Sequence, residues 1–284
     1  MNVISRSWNI TKLTFSVIRQ DKEMLLFPFL ATIVSILYVA AIIVPSGVLQ
    51  LLVENDADGV PVSWELREII LLFGVYLGLA FIATFFNVCV VYTTKTRFEG
   101  GNATFWESIR FGVSKIIIIF QWSILAATVG LALAMLERIA GRLGGVGRLA
   151  SSILGMVWSV VTLFVVPVLV YESMRPTQAI RRSLNILKKT WGENLIRYFG
   201  LGIIQFLCCL GVVLVTVGLV TVIPEGTGTL FVLAFGGIIL LGVILVFNVA
   251  NAVFNTALYV YASSGEEPGA FDTDVLVQAF KNRG

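Results

Sequence analysis

Six stretches of the chain, Met24–Val53, Ile69–Thr94, Ile116–Leu136, Ser151–Tyr171, Tyr198–Ile223 and Leu230–Ala262, contain no Asp, Glu, Lys or Arg. A helix needs roughly 20 apolar residues to cross about 30 Å of hydrocarbon, and each stretch is long enough. Of the 284 residues, 57% are hydrophobic and only 13% charged, and the mean hydropathy is +0.92. That is more apolar surface than a soluble domain of this size can bury, so the bilayer is the solvent. The sequence predicts an all-α fold, a polytopic protein with six transmembrane helices.

Orientation follows from the basic residues, because short cytosolic segments retain Lys and Arg and translocated ones do not. Arg6, Lys12, Arg19 and Lys22 precede the first window. Lys95, Arg97, Arg110 and Lys115 lie between the second and third, and Arg175, Arg181, Arg182, Lys188, Lys189 and Arg197 between the fourth and fifth, while Lys281 and Arg283 end the chain. Sixteen of the twenty basic residues thus fall on one side, against Arg67, Arg138, Arg142 and Arg148 on the other. The larger set is read as cytosolic, with both termini inside and the chain in the cytoplasmic (inner) membrane. The first apolar run is too long for a signal-peptide core. The first outer connection is acidic, and Glu54, Asp56, Asp58, Gly59 and Glu65 occupy positions 1, 3, 5, 6 and 12 of a calcium-loop register. Val62 at position 9 offers no side-chain oxygen and no soluble helix pair flanks the loop, so an acidic solvated loop is the simpler reading.

Each pair of windows is introduced by a short amphipathic pattern carrying a tryptophan. The first lies near Ser5–Arg19 with Trp8. The second begins at Thr104, which forms a Thr-x-x-Glu capping signature with Glu107, and sets an apolar stripe of Phe105, Ile109 and Val113 beside Trp106. The third follows Pro176, a residue suited to a first helical turn, and sets Ile180, Leu184, Leu187 and Trp191 against Arg181, Arg182, Asn185, Lys188 and Lys189. The predicted architecture is a single membrane domain, a six-span helical bundle of three parallel repeats, each an amphipathic interfacial helix plus a helical hairpin. The repeats fall at about 5–94, 104–171 and 177–262, and 263–284 form a cytosolic tail with a short helix after Asp272. Parallel repeats disfavour the inverted-repeat transporter plan.

The run Phe164-Val-Val-Pro167-Val-Leu-Val-Tyr171-Glu-Ser, followed by Arg175-Pro176, Ala179, Ser183, Lys189, Trp191 and Glu193, resembles a family of multi-pass membrane proteins of bacteria and archaea, a domain-of-unknown-function family. Phe254-Asn-Thr-Ala-Leu-Tyr259, with Phe271 and Ala279-Phe280, is similar to the same family's ending. The resemblance covers essentially the whole chain and implies a membrane fold without implying an activity. The layout is loosely similar to the membrane portion attached to some glycerophosphodiester phosphodiesterases, and such an analogy carries no function with it.

The chain has no histidine, which removes the usual general base, the Ser-His and Cys-His nucleophile systems and imidazole metal sites. No catalytic, cofactor or metal residues are assigned, and an enzyme is not expected. Cys89, Cys208 and Cys209 sit inside apolar windows, where free cysteine acts as a small hydrophobe. The net charge of +3 and the lack of any base-reading module exclude nucleic acid. Proton relays and voltage sensors need ionisable groups at membrane depth, and the windows have none. Gly141–Gly147 lacks the Lys-Ser/Thr of a phosphate loop and reads as a turn, and Gly74 and Gly78 read as places of close helix approach. The polar residues singled out are Asn248, Asn251 and Asn255, one stripe on the sixth span, with Asn87 of the second span as their expected hydrogen-bond partner. Arg181, Arg182, Lys188 and Lys189 are expected contacts for lipid head groups. Two functions follow: a non-enzymatic scaffold or assembly partner whose partners are membrane lipids and a protein or a second copy, or a channel or carrier for a neutral or amphipathic solute.

Overall fold

The computed structural model describes residues 14–46, 66–142, 145–191, 200–222 and 226–264. All regular structure among them is helical. Six helices are long and apolar enough to cross a membrane: Lys22–Ser46, Ile69–Phe98, Ile116–Gly141, Gly145–Tyr171, Leu201–Val222 and Thr227–Val260. Each coincides with one charge-free window. Lipid offers no partner to a backbone N–H or C=O, so a helix, which bonds its backbone internally, is the form such a window takes. The first outer loop with its calcium register, the tail helix and the Lys189 side chain lie outside what the structure describes.

In chain order the helices are α1 (14–20), α2 (Leu26–Ser46, after a 3-10 turn at Lys22–Leu25), α3 (Leu66–Phe98), α4 (Phe105–Ser114), α5 (Ile116–Arg142) and α6 (Gly145–Val161). They continue with α7 (Val165–Tyr171), α8 (Pro176–Trp191), α9 (Gly200–Val222) and α10 (Thr227–Ser264). Helix α4 starts one residue after Thr104 and α8 starts on Pro176, where the capping pattern and the proline predict. Gly100, at φ +81°, ends α3, with the Gly101 amide reaching back to the Thr96 carbonyl at 2.8 Å. A left-handed residue of this kind is the common helix stop, and glycine adopts it without a Cβ penalty.

The chain divides into two compact units. One comprises Met1–Pro28, Val90–Phe105 and Asn185–Gly284, the other Phe29–Cys89 and Trp106–Leu184. In the second unit small residues set the helix contacts. The Tyr38 ring lies where a Cβ on Gly78 would be, 2.0 Å away, and its hydroxyl donates to the Gly74 carbonyl at 2.7 Å. A Cβ on Gly130 would stand 3.1 Å from the ring of Tyr76, and Trp122 stacks on Trp158 with centroids 6.1 Å apart. A Cβ on Gly112 would stand 3.0 Å from Phe85 and 3.1 Å from Cys89. Ser108 and Gly112 are the buried residues of α4, whereas Trp106 is 75% and Val113 51% exposed. Of the apolar stripe on α4, Trp106 and Val113 are thus turned outward, while Phe105 and Ile109 are half-buried.

In the second unit the fourth span is built from two helical pieces. It breaks at 162–164 between α6 and α7. Pro167 has no N–H to give the Leu163 carbonyl and its ring crowds that oxygen. The chain tightens instead, with Leu163 N to Val160 O at 3.2 Å and Val165 N to Thr162 O at 3.0 Å, and resumes with Val168 N to Phe164 O at 2.9 Å. Ser183 of α8 bridges the break, donating from Oγ to the Val161 carbonyl at 2.7 Å and accepting from the Phe164 amide at 3.3 Å. A break inside a span is tolerated when a hydroxyl re-satisfies the freed backbone in this way.

In the first unit α9 packs against α10 where Thr216 fills the space a Cβ on Gly236 would take, 2.3 Å from its Oγ1. Among its described side chains α9 buries only Leu201, while α10 buries Phe247, Val249, Ala250 and most residues from Ala252 to Tyr259. Phe15 meets Phe247 edge-on at 5.8 Å. The returning spans share one property. Each buries a stretch in its second half, at Val88–Val91, Val168–Val170 and Val253–Phe254, while Leu37, Ile117 and Leu214 of the outgoing spans and Phe231 near the start of the sixth are exposed, as lipid-facing residues are.

Candidate functional site

With 33 residues in α3 and 38 in α10, these helices run about 50 and 57 Å. Both exceed the roughly 30 Å of hydrocarbon. From Thr227 to Asn248 is 21 residues, about 32 Å of helix. The asparagine stripe therefore lies in the second half of a helix longer than the hydrocarbon requires. Asn248 is exposed, and Asn251 and Asn255 are half-buried beside fully buried Ala250, Ala252, Val253 and Phe254. The stripe is the open edge of a buried segment.

Asn251 has a partner within the first unit. Asn251 Nδ2 donates to Gln205 Oε1 of α9 at 3.5 Å. Asn87, half-buried on α3, keeps its Oδ1 buried with no hydrogen-bond partner among the described residues. Gln205 was legible as a polar residue in an apolar window, but nothing in its spacing relates it to position 251.

Of the expected head-group residues, Arg181 and Lys188 are exposed on α8. Arg182 is committed to Glu172, with Nε 2.9 Å from Oε1. The packed face of α8 carries Ala179, Ser183, Ile186 and Leu187, with Ile180 and Leu184 at its margin. The first unit has a second clasp. Arg97, near the end of α3, donates from Nε to Asp21 Oδ2 at 2.6 Å and from Nη2 to Asp21 Oδ1, and also reaches Asn102 Oδ1 at 3.0 Å. Two steps on, Glu23 Oε2 accepts from the first amide of α4 at Phe105, 3.0 Å away, and Phe27 stacks on the Phe105 ring at 5.1 Å. A carboxylate at a helix start satisfies a free N–H and complements the dipole. The sequence held one signal for these contacts: Asp21 and Glu23 are acids in a segment that topology alone would fill with bases.

Within the spans the hydroxyls turn inward to their own helices. Thr94 bonds the Val90 carbonyl, Ser123 that of Ile119, Thr128 that of Ile124, Thr216 that of Val212 and Thr256 that of Ala252, all at 2.7–2.8 Å. Back-bonding of this kind leaves a hydroxyl with little to offer a solute. No group of three or more His, Cys, Asp or Glu able to hold a metal occurs among the described residues.

The model of a family of unknown function, DUF6159, matches residues 66–269, from the second span to beyond the sixth. The chain belongs to that family. No curated protein and no solved structure matches it significantly. The fold gives the resemblance a physical content in this DUF6159 protein. Pro167 breaks the fourth span, Ser183 bridges the break, and Glu172 fastens Arg182 of the same helix α8. Pro176 starts that helix, and buried Ala179 lets it pack. The residues on which the resemblance rests build a joint between a span and the helix after it.

Proposed function

We propose that this DUF6159 protein is a non-enzymatic scaffold or assembly partner of the cytoplasmic membrane, with both termini and the basic connections in the cytosol. The back-bonding of the span hydroxyls carries this reading, because a carrier would direct such groups at its solute. The clasps Asp21–Arg97 and Glu172–Arg182 add to it, since they fix the connections on the basic side as rigid features that a partner can bind. Three parallel repeats would present three such joints to one compartment. The likeness in layout to the membrane portion of glycerophosphodiester phosphodiesterases fits a membrane module and supplies no hydrolytic group.

One observation favours the second reading, a channel or carrier for a neutral or amphipathic solute: Asn87 Oδ1 is buried and unpartnered, and such an atom costs about 1–3 kcal/mol unless a guest satisfies it. Cysteines placed singly at Asn87, Asn248, Asn251 and Asn255 and probed with a membrane-impermeant thiol reagent separate the two. The scaffold reading expects labelling at the exposed position 248 and protection at 87, with a stoichiometric protein partner on affinity purification from native membranes. Labelling at 87 that an added solute blocks would replace the scaffold with the carrier.

A further inference from the structure

We infer that Lys115, Ser173 and the outer face of α5 form a binding site for one anionic phospholipid, with the phosphate at the Lys115 ammonium. Lys115 stands one residue before the third span and Ser173 two residues after the fourth, so both are at head-group level whichever compartment they face. Their ends meet: Lys115 Nζ donates to Ser173 Oγ at 2.7 Å, and the ammonium lies 5.5 Å from the centre of the Phe111 ring. Both partners are neutral. Arg97 and Arg182 are neutralised by Asp21 and Glu172, but Lys115 has no carboxylate within ion-pair distance among the described residues. Its charge is held in place and left uncompensated, which is what recognition of a phosphate asks of a lysine.

Ser173 supports the same assignment by its backbone. It is the one non-glycine with positive φ among the described residues, at +51°. A side chain in that region carries a cost that local structure must hold in place, and here the conformation delivers the hydroxyl to Lys115. While accepting from Nζ, Oγ keeps its own hydrogen to donate to a phosphate oxygen. In the turn of α5 that follows Lys115, Ile116, Ile117 and Phe120 are 43%, 70% and 48% exposed. This face continues without a charge into the third span, so a lipid whose phosphate sits on Lys115 lays its acyl chain there. A soluble anion would use the ammonium but not this surface, and the occupant is accordingly the lipid.

Native mass spectrometry of the full chain, exchanged into detergent with phosphatidylglycerol or phosphatidylcholine, tests the site. The wild type should retain phosphatidylglycerol in preference to phosphatidylcholine, and Lys115→Gln should lower that retention about fivefold, the effect of one basic residue at a membrane surface. Lys115→Arg should restore most of it, and Arg148→Gln, exposed near the start of α6, should change nothing. Ser173→Ala keeps the charge and should lower retention about threefold, through the loss of one hydrogen bond, so the site stays testable should Lys115→Gln fail to purify. Equal retention of the two lipids, undiminished retention in Lys115→Gln or Ser173→Ala, or displacement by millimolar inorganic phosphate would overturn the proposal. None of these outcomes depends on whether the protein is a scaffold or a carrier.

Discussion

Ser183 is fully buried, and its single hydroxyl serves both sides of a broken span. Replacing it with alanine takes away the donor to the Val161 carbonyl, which the proline-induced break has already deprived of its usual helical partner. An unsatisfied buried backbone group costs about 1–3 kcal/mol, more than the hydroxyl's own desolvation returns. Ser183→Ala is therefore expected to lower the melting temperature of the detergent-solubilised protein clearly, while Ser183→Thr, which keeps the hydroxyl, lowers it less. Equal melting of Ser183→Ala and wild type would mean that the bridge contributes nothing. Pro167 and Ser183 were both visible in the sequence, sixteen residues apart. Their relation was not, because a run of Val and Leu hides a break from any hydropathy argument and a serine on a helix has no signature of its target.

At the scale of the element, glycine and tyrosine decide how α2 lies on α3. The Tyr38 ring occupies the space of any side chain at position 78, so Gly78→Leu must displace either the ring or the helix. Overpacking of this kind typically costs about 1–3 kcal/mol, and the Tyr38–Gly74 hydrogen bond is lost with it. The pair should behave as a unit: Gly78→Leu alone lowers the melting temperature, and Tyr38→Ala in the same chain recovers part of the loss by clearing the space. Additive losses in the double variant would place the conflict elsewhere. The Gly-x-x-x-Gly spacing announced close approach, and the structure gives Gly78 the contact while nothing lies within 4 Å of a Cβ on Gly74, whose role is its carbonyl. Helix existence and ends were legible because charge-free length, a capping Thr104 and Pro176 are local properties. The buried face of α4 was not. Ser108 and Gly112 are hardly hydrophobic, and it is tertiary neighbours, Phe85 and Cys89 in the case of Gly112, that make this face interior.

At the scale of the whole molecule, the charges that matter are the ones no partner absorbs. Asp21 and Glu172 cancel Arg97 and Arg182, yet the basic connections still carry an excess, with Arg181 and Lys188 exposed and Lys115 paired only to neutral groups. Ion pairing between connections leaves the topological signal intact, because orientation depends on how many Lys and Arg flank the spans, while Asp and Glu contribute little. The sixteen-to-four split of basic residues then predicts an even number of crossings that returns the chain to its starting side, in agreement with six membrane-competent helices. Reporter fusions at the N-terminus, at Arg181 and after Arg283 should be active only as cytosolic reporters, and a fusion at Asp58 only as an external one. The charges also say how the arrangement should fail. Changing Arg181, Lys188 and Lys189 to glutamine together removes half of the six basic residues between the fourth and fifth spans, and the Arg181 fusion should then report a mixed orientation while the N-terminal fusion stays inside. A fusion at Asp58 active only in the cytosol would end the six-span orientation, whatever the helices themselves permit.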